Sequence, residues 1–274
     1  MIQRHSGRKG RNKTDVIKNR KEFPRLLLDV IKQSDILLEI LDARFIDDTR
    51  NKEIEELIKK QGKRIIYVLN KSDLIDRKEI KKQLEMKNLY PYEIISCILK
   101  KGSRDLRDRI KQESRKINQN KVYIGVIGYP NTGKSSIINF LVSKKSARSS
   151  TQSGYTKGIQ KIKLTENLVL IDSPGVIPEK EYLSKLPNVL GKHTKINVTT
   201  YNKVKDPEMQ VFYLIKNYLD EIQDFYKIDS KGDFERFLEI LGRNKNMLKR
   251  GNEIDTERAA RLVLKDWQEG KIKI

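Results

Sequence analysis

Gly128-Tyr129-Pro130-Asn131-Thr132-Gly133-Lys134-Ser135 is the stretch whose reading decides the fold. It fits G-x-x-x-x-G-K-[ST] and lies between a strand-like run at 122–127 and a helix-like run at 135–141. Backbone N–H groups of such a loop, and of the helix N-terminus after it, converge on phosphate oxygens. Glycine lets the backbone approach closely, Lys134 reaches the β- and γ-phosphates, and the Ser135 hydroxyl suits a magnesium ion. Asn131, Thr132, Gly133 and Ser136 complete the candidate phosphate contacts.

Three further segments fall at the ends of apolar runs. Asn70-Lys71-Ser72-Asp73 follows a short buried strand at 65–69. Asp73 can accept hydrogen bonds from N1–H and the exocyclic amine of guanine, whereas adenine would leave that carboxylate unpaired, a costly mismatch. Asn70 can tie the base to neighbouring loops, and the Lys71 stem can cover the ring face. Ser96-Cys97 ends the next strand, at 92–96, and the main-chain N–H after Ser96 suits the guanine carbonyl. Asp172-Ser173-Pro174-Gly175 ends a strand at 168–171; Asp172 suits a magnesium contact through water, and the Gly175 N–H can sense a γ-phosphate. For the mobile magnesium ligand the choice is Thr156, after the Gly154 hinge, with Thr151 as rival.

The order of these segments is rotated. The phosphate loop usually precedes the base reader in a GTPase, and here it follows it. The rotation reads as a circular permutation, and it makes the switch segment after Asp172 the covalent link to the rest of the chain.

The fold class follows from periodicity. Helical stripes at 22–33, 51–61, 77–87 and 102–117 alternate with strand-like runs at 35–41, 65–69, 92–96 and 122–127. A hairpin at 159–164 and 168–171 follows. Strands alternating with helices predict an α/β fold, a mostly parallel sheet with helices on both faces and ligands at the carboxyl ends of the strands. Beyond 186 strand signals stop. Asp206-Pro207 starts a helix carrying Val211, Ile215, Leu219, Ile222 and Phe225; a shorter one carries Phe234, Phe237, Leu238 and Leu241 and ends at Gly242. Asp255 caps a last helix with Ala259, Leu262, Val263 and Trp267 inward. The expected organisation is a basic flexible segment at 1–21, a permuted nucleotide-binding domain at 22–185 and a helical domain at 186–274.

The net charge of +21, from 58 Lys and Arg against 37 Asp and Glu, favours a polyanionic partner. Residues 1–25 hold nine basic side chains and two acidic ones. In the helical domain, Arg243, Lys245, Lys249 and Arg250 occupy a loop with no acid between them, and Arg258, Arg261 and Lys265 follow at helical spacing. These seven are the candidate RNA contacts. Cys97 is the only cysteine, which excludes an intrachain disulfide and suits a reducing, cytoplasmic setting. No apolar run approaches the roughly 18 residues that span a bilayer. A monomer is expected.

These motifs resemble the circularly permuted ribosome-assembly GTPases of the YlqF and nucleostemin type. The resemblance runs from about Glu22 to Ile272 and includes Leu41-Asp42-Ala43-Arg44 and the tail from Leu248-Lys249-Arg250-Gly251-Asn252 to Asp266-Trp267-Gln268-Glu269-Gly270-Lys271. It implies binding of the large ribosomal subunit or its precursor, rRNA contact by the helical domain, and a potassium ion held by Asn131. Two departures stand out. His5 lacks the Gly-His-Met setting linked to hydrolysis in some members, and the tail's paired glycines are reduced to Gly251-Asn252.

Where Ras-type enzymes place a water-orienting glutamine, this chain has Val176, which cannot hydrogen-bond. Slow turnover is therefore expected, with Lys134, Thr156 and Gly175 as the candidate catalytic groups. The leading reading is a GTP-controlled, ribosome-binding assembly factor. The rivals are a constitutive RNA-binding protein with a structural GTP site, and a phosphotransferase, against which Asn70 and Asp73 argue in its ATP-using form.

Overall fold

A computed structural model of the chain describes residues 25–142, 159–173 and 187–274. Helix α1 (25–33) packs through Leu27, Val30 and Ile31 on strand β1 (Ile36–Asp42). Three carbonyls at and beyond its end, those of Ile31, Lys32 and Ser34, accept from the Lys63 ammonium at 2.6 to 2.7 Å, a side-chain cap for groups that no helical N–H can reach. A short helix α2 (Ile46–Thr49), with no sequence signal of its own, leads to α3 (Lys52–Lys60), capped by Asn51. Strand β2 (Arg64–Asn70), helix α4 (Arg77–Met86), strand β3 (Tyr92–Ile94), helix α5 (Ser103–Ser114) and strand β4 (Val122–Ile127) follow. Helix α6 (Lys134–Leu141) leaves the phosphate loop, and β5 (Gln160–Lys163) and β6 (Leu168–Asp172) close the sheet.

The six strands lie in the order β3-β2-β1-β4-β6-β5, all parallel except β5, which runs antiparallel to β6. Strands β1 and β6 are buried along their whole length, as expected for strands covered on both faces. One apolar layer joins Leu37, Leu41, Tyr67 and Leu69 to α1, α3 and α4; the other joins Ile36, Leu38, Val68 and Val126 to α5 and α6. Gly125 has a packing reason: a Cβ there would collide with Ser34 Oγ and stand 2.6 Å from Leu37 Cδ1. Strand order runs outward in opposite directions from β1 and β4. The crevice between their carboxyl ends is therefore the topological switch point at which such sheets bind ligands.

Helices α7 (Pro187–Lys195), α8 (Pro207–Tyr226), α9 (Phe234–Asn244) and α10 (Thr256–Gln268) form the helical region. Asp206, Asp233 and Asp255 each cap a helix by accepting from a backbone N–H at 3.0 Å. Three expectations change. Tyr218 leaves helical dihedrals (φ −139°, ψ 38°), and beyond this kink Phe225 turns outward while Ile222 stays buried and Tyr226 packs on the core. Gly242 is not a terminator but an interior residue of α9, where a Cβ would collide with Ile254 Cγ2. On α10, Leu262 is only half-buried, and Ala260 and Leu264 take inward places beside Ala259, Val263 and Trp267. The reduced Gly251-Asn252 pair still makes its turn, both residues adopting positive φ (93° and 65°), which asparagine tolerates better than most side chains.

The helical core also takes in two residues from outside the helical region. Phe45, just after β1, stacks on Trp267 with ring centroids 6.1 Å apart and planes at 18°. Tyr129, in the phosphate loop, is buried in the same cluster.

Candidate nucleotide site

The loop after β4 takes its shape from two glycines. Gly128 (φ 145°) passes so near β1 that a Cβ would lie 2.5 Å from the Ile40 carbonyl; at Gly133 (φ 99°) a Cβ would collide with Asn70 Nδ2. Thr132 Oγ1 donates to the Tyr129 carbonyl at 3.0 Å and closes the loop. Lys134 opens α6 with its side chain buried, its ammonium donating to the carbonyls of Gly128 (3.1 Å) and Tyr129 (2.7 Å). Burial pushes its pKa down to about 8, against the opposing pull of Asp172. Ser135 and Ser136 are exposed in the first turn of α6.

The segment Asn70-Lys71-Ser72-Asp73 docks onto this loop. Asn70 closes β2, opposite Asp42 at the end of β1, and its Nδ2 donates to the Thr132 carbonyl at 2.9 Å. Lys71 follows in the left-handed region (φ 61°), its ammonium 2.8 Å from Asp42 Oδ2. Asp42 also accepts from Arg44 Nε (3.0 Å) and Nη2 (2.8 Å). Burial alone would raise the Asp42 pKa, but Lys71 and Arg44 outweigh it and hold the carboxyl down at about 2. Asp42 thus anchors the Lys71 stem, a role of which Asp42-Ala43-Arg44 carries no local sign. Asp73 lies in a single 3-10 turn, Ser72–Leu74, where its carboxylate accepts a short hydrogen bond from Ser96 Oγ. Ser96 in turn accepts from the Leu99 N–H at 3.0 Å. Asp73, Ser72, Ser96, Leu99, Lys101 and Gly102 line one cleft. Ser96 therefore aims the carboxylate, in addition to the main-chain role expected of its loop. Burial, with Asp73 beside it, raises the Cys97 thiol to about 11, so it is unreactive at neutral pH.

Asp172 ends β6 in register with Val126 of β4, and Ser173 Oγ donates to the Val126 carbonyl at 2.6 Å. The Asp172 carboxylate is thus held on the strand next to the one that enters the phosphate loop. A carboxylate and a hydroxyl are the donor set a hard divalent ion takes when phosphates supply the remaining oxygens, so Asp172 and Ser135 fit magnesium. Among the described residues no cluster of three or more His, Cys, Asp or Glu offers a separate metal centre. Thr151, Thr156, Gly175, Val176 and the basic segment before residue 25 lie outside the described residues.

Among the described residues, the helical region touches the site at three places. Asn131 (φ 59°) donates through Nδ2 to the Asn197 carbonyl, just past α7, which leaves Oδ1 as the acceptor of that amide. Lys192 Nζ lies 3.2 Å from the Tyr129 hydroxyl and 5.1 Å from its ring centroid. Gly270, past α10, packs so near the Ser72–Leu74 turn that a Cβ would meet Leu74 Cδ1 at 2.5 Å.

Of the basic candidates, Arg243, Lys245, Lys249, Arg250 and Arg258 are exposed. Lys265 is partly exposed and 4.0 Å from Glu269. Arg261 is committed within the fold: Nη1 donates to the carbonyls of Tyr201 (3.1 Å) and Val204 (3.2 Å), and Nη2 to Glu257 at 2.7 Å. Spacing on a helix says nothing of such long-range partners.

The sheet order, the switch-point crevice and the rotated motifs define a circularly permuted P-loop GTPase. Residues 13–179 match the family described as RsgA GTPase, and residues 123–245 match the 50S ribosome-binding GTPase family. The chain belongs to the circularly permuted ribosome-assembly GTPases. It is 32% identical over 249 residues to a GTP-binding protein of Methanocaldococcus jannaschii, covering 90% of this chain and 65% of that one. It is 35% identical over 257 residues to nucleolar GTP-binding protein 2 of Saccharomyces cerevisiae, covering 90% and 51%. The chain thus spans about half to two-thirds of the length of these relatives. GNP-bound YlqF from T. maritima shares the fold, with a TM-score of 0.64 at 23% identity over 90% of this chain and 94% of that one. No helix among the described residues is long and apolar enough to cross a membrane.

Proposed function

We propose that this chain is a GTP-binding, slowly GTP-hydrolysing ribosome-assembly factor that grips the large ribosomal subunit or its rRNA in one nucleotide state. The observation that carries this reading is the seating of Tyr129 and Asn131, both in the phosphate loop, against the helical region that bears the exposed basic residues. A change at the phosphates then has a packed route to that surface, besides the covalent one through 172–187. A monomeric, cytoplasmic protein is part of the same proposal.

In this scheme Asn70, Lys71, Asp73 and the loop at Ser96-Cys97 hold guanine, and 131–136 hold the phosphates. Ser135, Asp172 and Thr156 would hold magnesium, which supplies charge neutralisation on the phosphate oxygens. Lys134 keeps a positive charge against the β- and γ-phosphates, where the transition state builds negative charge. Asn131, through Oδ1, would hold a potassium ion, which would supply further positive charge at the phosphates. With Val176 where a glutamine would orient water, turnover should be slow and potassium-dependent. GTPase rates in equal KCl and NaCl test this: at least about tenfold faster turnover in KCl is expected, the scale of one charge interaction in the transition state, and Asn131→Ala should erase the difference. Equal rates in the two salts would remove the ion from the scheme.

The decisive experiment for the function is pull-down of large subunits, and titration of their rRNA, with a GTP analogue and with GDP. Tighter binding in one state is expected. Equal binding in both would favour a constitutive RNA-binding protein whose GTP site is structural. Replacing Lys249, Arg250 and Arg258 together with Ala should weaken the complex and flatten its log–log salt slope by up to about 3, near one unit for each phosphate no longer neutralised. Arg261 is left out of this set because its removal would unseat the 201–204 segment.

A further inference from the structure

Helix α7 ends in a Schellman turn: Val198 N–H donates to the His193 carbonyl at 2.9 Å and Asn197 N–H to the Thr194 carbonyl at 3.1 Å, with Asn197 left-handed at φ 61°. Glycine is the usual residue at that position, because it adopts positive φ without steric cost. Asn197, only 3% exposed, places a side-chain amide there instead. Among the described residues, neither Oδ1 nor Nδ2 of that amide has a hydrogen-bond partner. A buried polar group left unpaired is destabilising, because it gives up its hydrogen bonds to water and gains none in return. As a helix cap alone, asparagine is therefore a worse choice here than glycine. The same residue offers its main-chain carbonyl to Asn131 of the phosphate loop.

We infer that Asn197 is a positioning residue of the nucleotide site. Its carbonyl fixes the Asn131 amide, and its side-chain amide provides a donor and an acceptor that are satisfied when the phosphates of a guanine nucleotide order the loop. The helical region thereby contributes to nucleotide affinity from outside the permuted sheet. This rests on the reading of 128–135 as the phosphate cradle.

Fluorescent GDP and a fluorescent GTP analogue are titrated against wild type, Asn197→Gly, Asn131→Ala and the double variant, with a thermal melt of each. Asn197→Gly suits the left-handed turn and removes the orphaned amide, so its melt should equal or exceed that of wild type. Its affinity for the GTP analogue should nevertheless fall about tenfold, or about 1.4 kcal/mol. Asn197→Gly keeps the main-chain carbonyl to which Asn131 donates, so the two changes remove separate contacts and the double variant should lose at least as much affinity as the weaker-binding single variant. An unchanged affinity in Asn197→Gly would reduce Asn197 to a helix cap and overturn the inference. Wild type that binds neither nucleotide would instead bring down the reading of the loop itself, and this inference with it.

Discussion

Asp73→Asn should convert a GTP-selective site into one that prefers XTP. The carboxylate of Asp73 offers only acceptors, which match the N1–H and exocyclic amine of guanine. An asparagine amide in its place points a donor at one of those positions, and xanthine, with a carbonyl there, becomes the better partner. Hydrogen bonds to a charged group are worth about 1.5–3 kcal/mol each, so a loss of GTP affinity of about 10²–10³-fold is expected. The phosphate loop lies on another strand and should be unaffected, so XTP should bind the variant with nearly wild-type strength. Ser96 sharpens the test. Its hydroxyl aims the Asp73 carboxylate, and Ser96→Ala should weaken GTP binding without creating a preference for XTP. Titrating both nucleotides against the three proteins decides it, and an unaltered GTP preference in Asp73→Asn would remove Asp73 from the base site.

Tyr129→Ala should destabilise the whole chain by about 3 kcal/mol, in the range for truncating a buried aromatic. For a chain of this size that corresponds to a melting point lower by roughly 6–12 °C. The phosphate loop is where a surface polar residue would ordinarily be expected, yet Tyr129 is 1% exposed and packed into the helical core. Tyr129→Phe, which keeps the ring and removes only the hydroxyl beside Lys192, should stay close to wild type. Thermal melts followed by circular dichroism check both variants. A Tyr129→Ala melt within a degree of wild type would mean that the loop and the helical region do not share a core in solution.

What can be read from the chain, and what cannot, divides by sequence distance. The phosphate loop is contiguous, and the buried parallel strands announce themselves as short runs of Ile, Leu and Val. The caps at Asp206 and Asp255 are equally local. Asp42 and Lys71 are 29 positions apart, and Asn131 and Asn197 are 66 apart. Each looks like an ordinary polar residue until the fold brings its partner. Helix α7 has a weak signal because Gly191 lies inside it and lowers its propensity. An unbroken period of 3.6 places Phe225 inward, and Tyr218 interrupts that period. Arg261 reads as an RNA contact because a free arginine and one clamping the 201–204 segment look the same in sequence.

The shared core bears on modularity. The residue that anchors the helical region to the sheet sits in the nucleotide loop itself, and a second anchor, Phe45, follows the first strand. A fragment stopping at residue 186 would bare both rings, together with the apolar ground around them, and should precipitate rather than survive as a minimal GTPase. Transplanting residues 187–274 onto an unrelated nucleotide-binding sheet should fail for the complementary reason: the recipient would need an aromatic residue at both places. A substitution in the helical core therefore bears on Phe45 and Tyr129 as directly as on its own helix, and each half restricts what the other can accept.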